Sequence, residues 1–356
     1  MDNAPARIER VHKVIMTLKR RGYLVSVAYP RGLETLPEYE SVPIVSVSSP
    51  PFLHYLVFTL FLFFHLLMDP PDVVHFVNLP DMAVLGVVLA RKFRHFRFVY
   101  DRQAAFSVIV GHHHRRWGFL AKTVESLAFR NSDAILVVVP EFERELVRFK
   151  SKLFLVPNGV DLTEFQPKKV RSSKTLTVLI VAALTYIEGI DVFIKAARRV
   201  HDRVRNVRFV VVGDGEYAGE LRGLNEALND PVEFEGWVDF EKIPRVINGA
   251  DICISSVLPT NFTDYAYPVK LFEYLACGKP VVVSNIRGHL ELIHDSQNGL
   301  IYDSLSPEDL AEKIVQLIKD RSLRQHLGIN GLSLAKRFSW EACSADLIRA
   351  YESIVA

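Results

Sequence analysis

Short apolar runs alternating with amphipathic helical stretches decide what this chain can fold into. Runs of strand composition occupy residues 24–28, 73–77, 96–100, 134–139 and 153–156, then 176–182, 207–212, 232–235, 252–255 and 280–284. Stretches of helical periodicity lie between them, 8–20 and 121–130 among them. Strands separated by helices cannot close hairpins, so they pair in parallel and bury both faces under the crossover helices. The expectation is an α/β chain with two doubly wound, Rossmann-like parallel sheets. The helical pattern begins near residue 6, so the first sheet is expected to lack its opening strand.

The 356 residues suit two domains, each large enough to bury a core. A turn at Pro157-Asn158-Gly159-Val160-Asp161, followed by the polar stretch 166–174, has the composition of an exposed linker. The predicted organisation is a first domain over 1–165, a second over 166–339, and a last helix, 340–356, returning to the first.

Lys plus Arg number 43 against 41 Asp plus Glu, and this near balance argues against a nucleic-acid partner. Cys253, Cys277 and Cys343 are odd in number and set in apolar surroundings, which reads as reduced core thiols and not a disulfide or zinc framework. No metal site is expected. Residues 1–7 lack the apolar run of a signal peptide, so the expected location is cytoplasmic. The segment 52–68 is apolar on every side and carries no formal charge. It is slightly short for a membrane span of about 20 residues. Three readings stay open for it: a helix buried against a sheet, a helix lying in the membrane interface, and a span. The second would put the protein at the inner face of a membrane.

The most informative stretch runs from Ala250 to Tyr302. A strand at 251–256 leads into a loop rich in Pro, Thr, Asn and Tyr, then into Tyr267-Pro268-Val269-Lys270-Leu271-Phe272-Glu273-Tyr274-Leu275-Ala276-Cys277-Gly278-Lys279-Pro280. Pro268 suits a helix start, and Gly278 with Pro280 ends that helix. A helix N-terminus after the carboxyl end of a strand is where open α/β sheets bind anionic ligands, because unpaired backbone N–H groups point outward there. Lys270 adds a cation in the first turn. One turn further on, the carboxylate of Glu273 can accept hydrogen bonds from both hydroxyls of a ribose.

The series Lys270, Glu273, Tyr274, Ala276, Gly278-Lys279-Pro280-Val281-Val282, followed by Gly288, Glu291 and Asn298-Gly299-Leu300, resembles the donor-site segment of the GT4 family of retaining glycosyltransferases. Val156-Pro157-Asn158-Gly159, Val212-Gly213-Asp214-Gly215 and Glu235-Gly236-Trp237-Val238 match in the same order, so the similarity covers nearly the whole chain. The resemblance implies the GT-B fold, two Rossmann-like domains facing a central cleft. It implies transfer of a hexose from a nucleotide-diphosphate sugar to a glycan or lipid-linked acceptor, with the donor as substrate and no resident cofactor. Glu273 would hold the ribose, Pro268, Val269, Lys270 and Leu271 would form the phosphate-facing helix start, and Gly236, Trp237 and Val238 would lie where the base stacks. A core role for Trp237 is the plainer alternative.

Departures from the family pattern set the remaining expectations. Tyr265 stands where a sugar-contacting glutamate is usual, with Asp264 beside it. Ala183 and Glu188 stand where cations usually grip the diphosphate, which reverses the field at Glu188. Lys270 and Arg287 are candidate replacements, and a divalent ion held by Asp264 and Glu188 stays open. Gln103 takes the place of a histidine that faces the reacting carbon. Asp264, Lys270 and Gln103 are thus the candidate catalytic positions. A catalytically impaired nucleotide-sugar-binding or scaffold subunit is the alternative function. His112-His113-His114-Arg115-Arg116 could be a solvated loop, an anion contact such as a lipid phosphate, or a metal cluster, the last disfavoured by its spacing. Arg7 and Arg10, near the first helix start, face the same choice, in a region that borders the acceptor site in the family. Lys19-Arg20-Arg21 reads as a helix C-terminus or a membrane patch.

Overall fold

The structure of the protein is a computed structural model, described over residues 5–28, 40–42, 51–77, 82–104, 115–169 and 175–355, with the side chains of 5–9, 40–42, 51–55 and 115–117 left out of the description. The chain forms two compact units, Met1–Pro157 with Cys343–Ala356, and Asn158–Ala342. Residues 158–165, grouped above with the first domain by composition, pack with the second instead. Val160 bridges to Ser339 and the buried Phe165 ring meets Phe240 edge-on. The polar composition of 166–174 signalled a linker, but the crossing point is the turn before it. His112, His113, His114 and the linker residues 170–174 fall outside the described residues.

The first unit contains α1 (Pro5–Arg20), β1 (Ser26–Ala28), β2 (Glu40–Val42), α2 (Pro51–Met68), β3 (Val73–Val77), α3 (Val84–Ala90), β4 (Arg97–Arg102), α4 (Arg115–Asn131), β5 (Ala134–Val137), α5 (Pro140–Glu145) and β6 (Leu153–Leu155). Strands β3-β4-β5-β6 form a parallel sheet, and β1 pairs with β2 separately. Among the described residues no strand precedes α1. Phe98, Tyr100, Ile135 and Val137 fill the core under α2, α3 and α4. Helix α2 settles close on α3 because residue 86 is glycine: a Cβ there would lie 2.4 Å from the Thr59 carbonyl oxygen. Phe58, Leu62 and Leu66 form the buried face of α2, as a one-sided core helix would. Among the described residues no helix is long and apolar enough to cross a membrane.

The second unit contains β7 (Leu176–Val181), α6 (Ile190–His201), β8 (Val207–Val212), α7 (Ala218–Ala227), β9 (Glu233–Gly236), α8 (Ile243–Gly249), β10 (Ile252–Ser255), α9 (Val269–Ala276), β11 (Val281–Ser284), α10 (Arg287–Leu292), β12 (Leu300–Tyr302), α11 (Pro307–Lys319) and α12 (Arg321–Arg337). A last helix, α13 (Trp340–Val355), starts in this unit and ends in the first. The sheet order is β12-β11-β10-β7-β8-β9, every pair parallel. Successive strands run outward from β7 on one side and from β10 on the other. Their connections therefore leave in opposite directions, and a crevice opens at the carboxyl ends of β7 and β10, the place where such sheets bind ligands.

Candidate functional site

Two loops meet at that crevice. After β7 the chain makes a 3-10 turn, Tyr186–Glu188, and enters α6 through Gly189 at φ +61°. The loop after β10 is laced to it: Ser256 Oγ donates to the Glu188 carbonyl at 2.6 Å and the Leu258 amide donates to the Ile187 carbonyl at 2.8 Å. Residue 189 must be glycine on two counts, because a Cβ would also lie 2.1 Å from the Ser256 carbonyl oxygen. Across the crevice the Lys270 ammonium pairs with the Glu188 carboxylate, both largely buried. The position that reversed the expected field thus carries its own counterion.

Lys270 lies in the first turn of α9, whose N-cap is Pro268 in an extended conformation. The first amides of a helix mostly lack an acceptor within their own helix and lie at the positive end of its dipole. Glu273 follows one turn later, only 7% exposed. Tyr274 anchors the helix to the sheet: its hydroxyl accepts from the Val181 amide at 2.8 Å, and burial pushes its phenol well above the ordinary range. Val269 is half-buried beside Lys270. The Leu271 side chain is fully buried in the core and its amide donates to the Pro268 carbonyl at 3.0 Å, so it serves the helix more than the crevice.

The other expected residues fall around this centre. Gly236 adopts φ +73° at the end of β9, and its carbonyl accepts from the Gly213 amide at 2.8 Å. Trp237 follows with its side chain 61% exposed, on the surface and not in the core, with Val238 half-buried behind it. Val212-Gly213-Asp214-Gly215 runs hard against residues 182–184; a Cβ at Gly213 would come within 1.8 Å of the Ala182 carbonyl oxygen. Ala183 is exposed on that loop. Asp264 and Tyr265 join Arg287 at the start of α10. The guanidinium Nε lies 3.1 Å from the Asp264 carboxylate, the group covers the Tyr265 ring at 5.0 Å, and it donates to the Tyr265 hydroxyl. Asp264 is a neutralised carboxylate, not an isolated one.

In the first unit Gln103 is half-buried just past the carboxyl end of β4. Arg10, expected near an acceptor, is instead a buried strut. Its Nε and Nη2 donate to the Asp101 carboxylate at 3.0 and 3.1 Å, and Nη1 donates to the Val156 carbonyl at 3.0 Å. Burial works against the Asp101 charge, but Arg10 and His75 hold its carboxyl below the ordinary range. Arg7, Arg115 and Arg116 lie on helices with their side chains outside the described residues, and Lys19, Arg20 and Arg21 are exposed at the C-terminal end of α1. Among the described residues no three metal-binding side chains converge.

One member of the site has no sequence signal of its own. His289, on α10, is fully buried between the ends of β10 and β11. Its Nδ1 donates to the Ser284 carbonyl at 2.9 Å, which leaves Nε2 to accept from Ser255 Oγ at 3.1 Å. Burial pushes its pKa down to about 4, so the ring is neutral. Asn298 is likewise structural: it accepts from the His294 amide at 2.7 Å and donates to the Leu292 carbonyl at 3.0 Å.

Residues 9–164 match the family described as Glycosyltransferase Family 4, and residues 175–320 match glycosyl transferases group 1. The chain belongs to the GT4-type glycosyltransferases. An uncharacterized glycosyltransferase of Methanocaldococcus jannaschii is 28% identical over 64% of this chain and 61% of its own length. The N,N'-diacetylbacillosaminyl-diphospho-undecaprenol alpha-1,3-N-acetylgalactosaminyltransferase of Campylobacter jejuni is 25% identical over 67% of this chain and 65% of its own. This glycosyltransferase spans about three fifths of the length of the first of these curated relatives. In fold it is similar to sucrose-phosphate synthase from Thermosynechococcus elongatus, with a TM-score of 0.78 at 20% identity over 97% of this chain and 92% of that one. It is also similar to Anabaena HepE, solved with UDP-glucose, with a TM-score of 0.77 at 17% identity over 99% and 97%. The two parallel-sheet domains of this glycosyltransferase are GT-B domains.

Proposed function

We propose that this glycosyltransferase moves a hexose, with retention, from a nucleotide-diphosphate sugar to a glycan or lipid-linked acceptor, and holds the donor at the β7/β10 crevice. The observation that carries the reading is Glu273, a carboxylate kept almost out of water at the open edge of a doubly wound sheet, one turn from Lys270 and a helix N-terminus. A carboxylate at this place in a doubly wound sheet can accept hydrogen bonds from both hydroxyls of a ribose, as the acid of a dinucleotide-binding fold does. The diphosphate then meets the first-turn amides of α9 and the Lys270 ammonium, which stabilise the negative charge that grows on the departing phosphate. Exposed Trp237 supplies a face on which the base can stack.

Retention needs no protein base. As the bond from the anomeric carbon to the phosphate oxygen breaks, the acceptor oxygen bonds to that carbon on the same face, and its proton passes to the departing phosphate oxygen. Gln103 cannot take a proton and in this scheme is not required to. Asp264, tied to Arg287, orients the sugar and does not act as a base. HepE, solved with UDP-glucose, makes that nucleotide sugar the first donor to try, and the name of the Campylobacter relative makes a polyprenyl-diphosphate acceptor the first acceptor.

Calorimetric titration with UDP, GDP and their sugars tests the donor half. One nucleotide should bind, and Glu273→Ala should weaken it about 100-fold, as expected for losing two hydrogen bonds to a charged group. Absence of binding by every nucleotide and nucleotide sugar would sink the proposal. Binding without transfer to any acceptor would favour the impaired-subunit reading.

A further inference from the structure

Helix α2 has a second face. Phe58, Leu62 and Leu66 point into the core, while Leu56, Leu60, Phe64 and Met68, spaced by four, are exposed, Phe64 to 60% and Met68 to 84%. The neighbouring end of α3 continues this surface with Leu89 and Phe93, also four apart, and the Phe93 ring is 69% exposed. Phe63 joins the two helices by an edge contact with Phe93, centroids 6.3 Å apart. Phe93 is flanked in sequence by Lys92 and Arg94, both exposed, and Arg94 Nε donates to the Leu67 carbonyl at 2.8 Å at the end of α2. Lys92 in turn lines a depression with Arg91 and Arg130. The carboxylate there, Asp133, is held by Arg91 at 2.6 Å, so the exposed Lys92 and Arg130 give the depression its positive charge. Asp69 and Asp72 follow α2, and the exposed cations Lys92, Arg94, Arg97 and Arg130 outnumber them.

We propose that this face docks on an anionic lipid bilayer, with the outer stripe of α2 and Phe93 among the acyl chains and Lys92, Arg94 and Arg130 at headgroup level. The chemistry favours lipid over a protein partner. From 56 to 68 the helix offers only Thr59 and His65 as polar side chains, neither of them on the exposed stripe, whereas protein interfaces place a hydrogen bond in about every 100–200 Å². An aliphatic and phenylalanine stripe with cations at its end is the pattern of a helix lying in the interface, where long cationic side chains reach up to anionic headgroups. The helix cannot span, but its length suits lying flat. The inference goes beyond the donor-site reading and does not rest on it, since a chain without transferase activity would dock in the same way.

The test is co-sedimentation of the full chain with vesicles of phosphatidylcholine alone and with phosphatidylglycerol added, alongside a separate UDP titration that reports the donor site. The chain should partition at least tenfold more strongly onto the vesicles containing phosphatidylglycerol. Phe64→Glu with Phe93→Glu should lower that binding at least tenfold, and Lys92→Glu with Arg130→Glu should abolish the preference for the anionic lipid. All four positions are exposed, and an unchanged circular dichroism melt checks that the variants fold. A wild-type chain that stays in the supernatant with both vesicles overturns the proposal, as does equal binding to both, or a Phe64/Phe93 variant that binds like wild type. A wild-type dimer that this variant turns into monomer on gel filtration, without vesicle binding, would give the face to a second copy and also overturn it.

Discussion

His289 makes the second unit sensitive to acid in a window that its carboxylates do not share. An unfolded histidine titrates near 6.5, whereas the buried ring titrates at about 4. Between those values the unfolded chain binds a proton that the folded chain refuses, so stability rises with pH there and is lost as pH falls from about 6.5 to about 4. At about 1.4 kcal/mol per pH unit the whole interval amounts to about 3 kcal/mol. Carboxylates held below their ordinary value, such as Glu233 beside Arg208, give up their share only below about 4.5. The perturbation is His289→Gln, which keeps a donor and an acceptor but cannot take a proton. The assay is amide hydrogen-exchange protection of β10 and β11 between pH 7 and 4.5, expressed as an opening free energy. Wild type should lose about 2–3 kcal/mol across that range. The variant, about 1 kcal/mol weaker at pH 7 from imperfect hydrogen bonds, should show a flat profile. A wild-type profile as flat as the variant's, or a variant with the wild-type slope, refutes the reasoning.

Three further outcomes are expected. Arg10→Ala strands the fully buried Asp101 charge, and urea unfolding of the first unit should show a loss of about 3–5 kcal/mol, reduced when Asp101→Asn is added. Gly213→Ala forces a side chain into φ +136° and against the Ala182 carbonyl, and thermal unfolding should register about 3 kcal/mol of strain in the second unit. Glu188→Gln removes the carboxylate that holds Lys270 and should tighten UDP about tenfold, roughly 1.4 kcal/mol of lost repulsion, while uridine binding stays unchanged; Lys270→Gln should do the reverse.

Much of the fold was legible because buried parallel strands are continuous apolar runs. The runs at 73–77, 207–212 and 252–255 coincide with β3, β8 and β10 residue for residue. The edge strand β12 escaped notice because Leu300–Tyr302 is three residues long, too short for any period. The α9 segment could be read because its Pro and Gly punctuation and its Lys and Glu are local. The partners of those residues could not. Glu188 and Lys270 are 82 residues apart, and their pairing depends on the order of β7 and β10 in the sheet. His289 carries no local signal, since Ser255 and Ser284 become its partners only when β10 and β11 lie side by side. Arg10 shows the same limit from the other side: its charge left a solvated place or an anion contact open, and its partner Asp101, 91 residues away, is set by the fold. The turn at 157–161 marks the junction in the sequence, and the two units divide at its start; the polar stretch after it marks only exposure, and what holds residues 158–165 to the second unit is packing around Gly159, where a Cβ would lie 2.9 Å from Trp340 Cα.

Helix α13 has a consequence for how the protein is made. Leu347, Ala350, Tyr351 and Ile354 are buried in the first unit, and the Tyr351 hydroxyl meets His75 Nδ1 at 2.9 Å. Domains usually mature in the order the ribosome delivers them, yet here the first unit draws on residues 343–356, synthesised after the whole of the second unit. A nascent chain would therefore complete its second unit first, and the unit that carries the exposed apolar stripe would close after it.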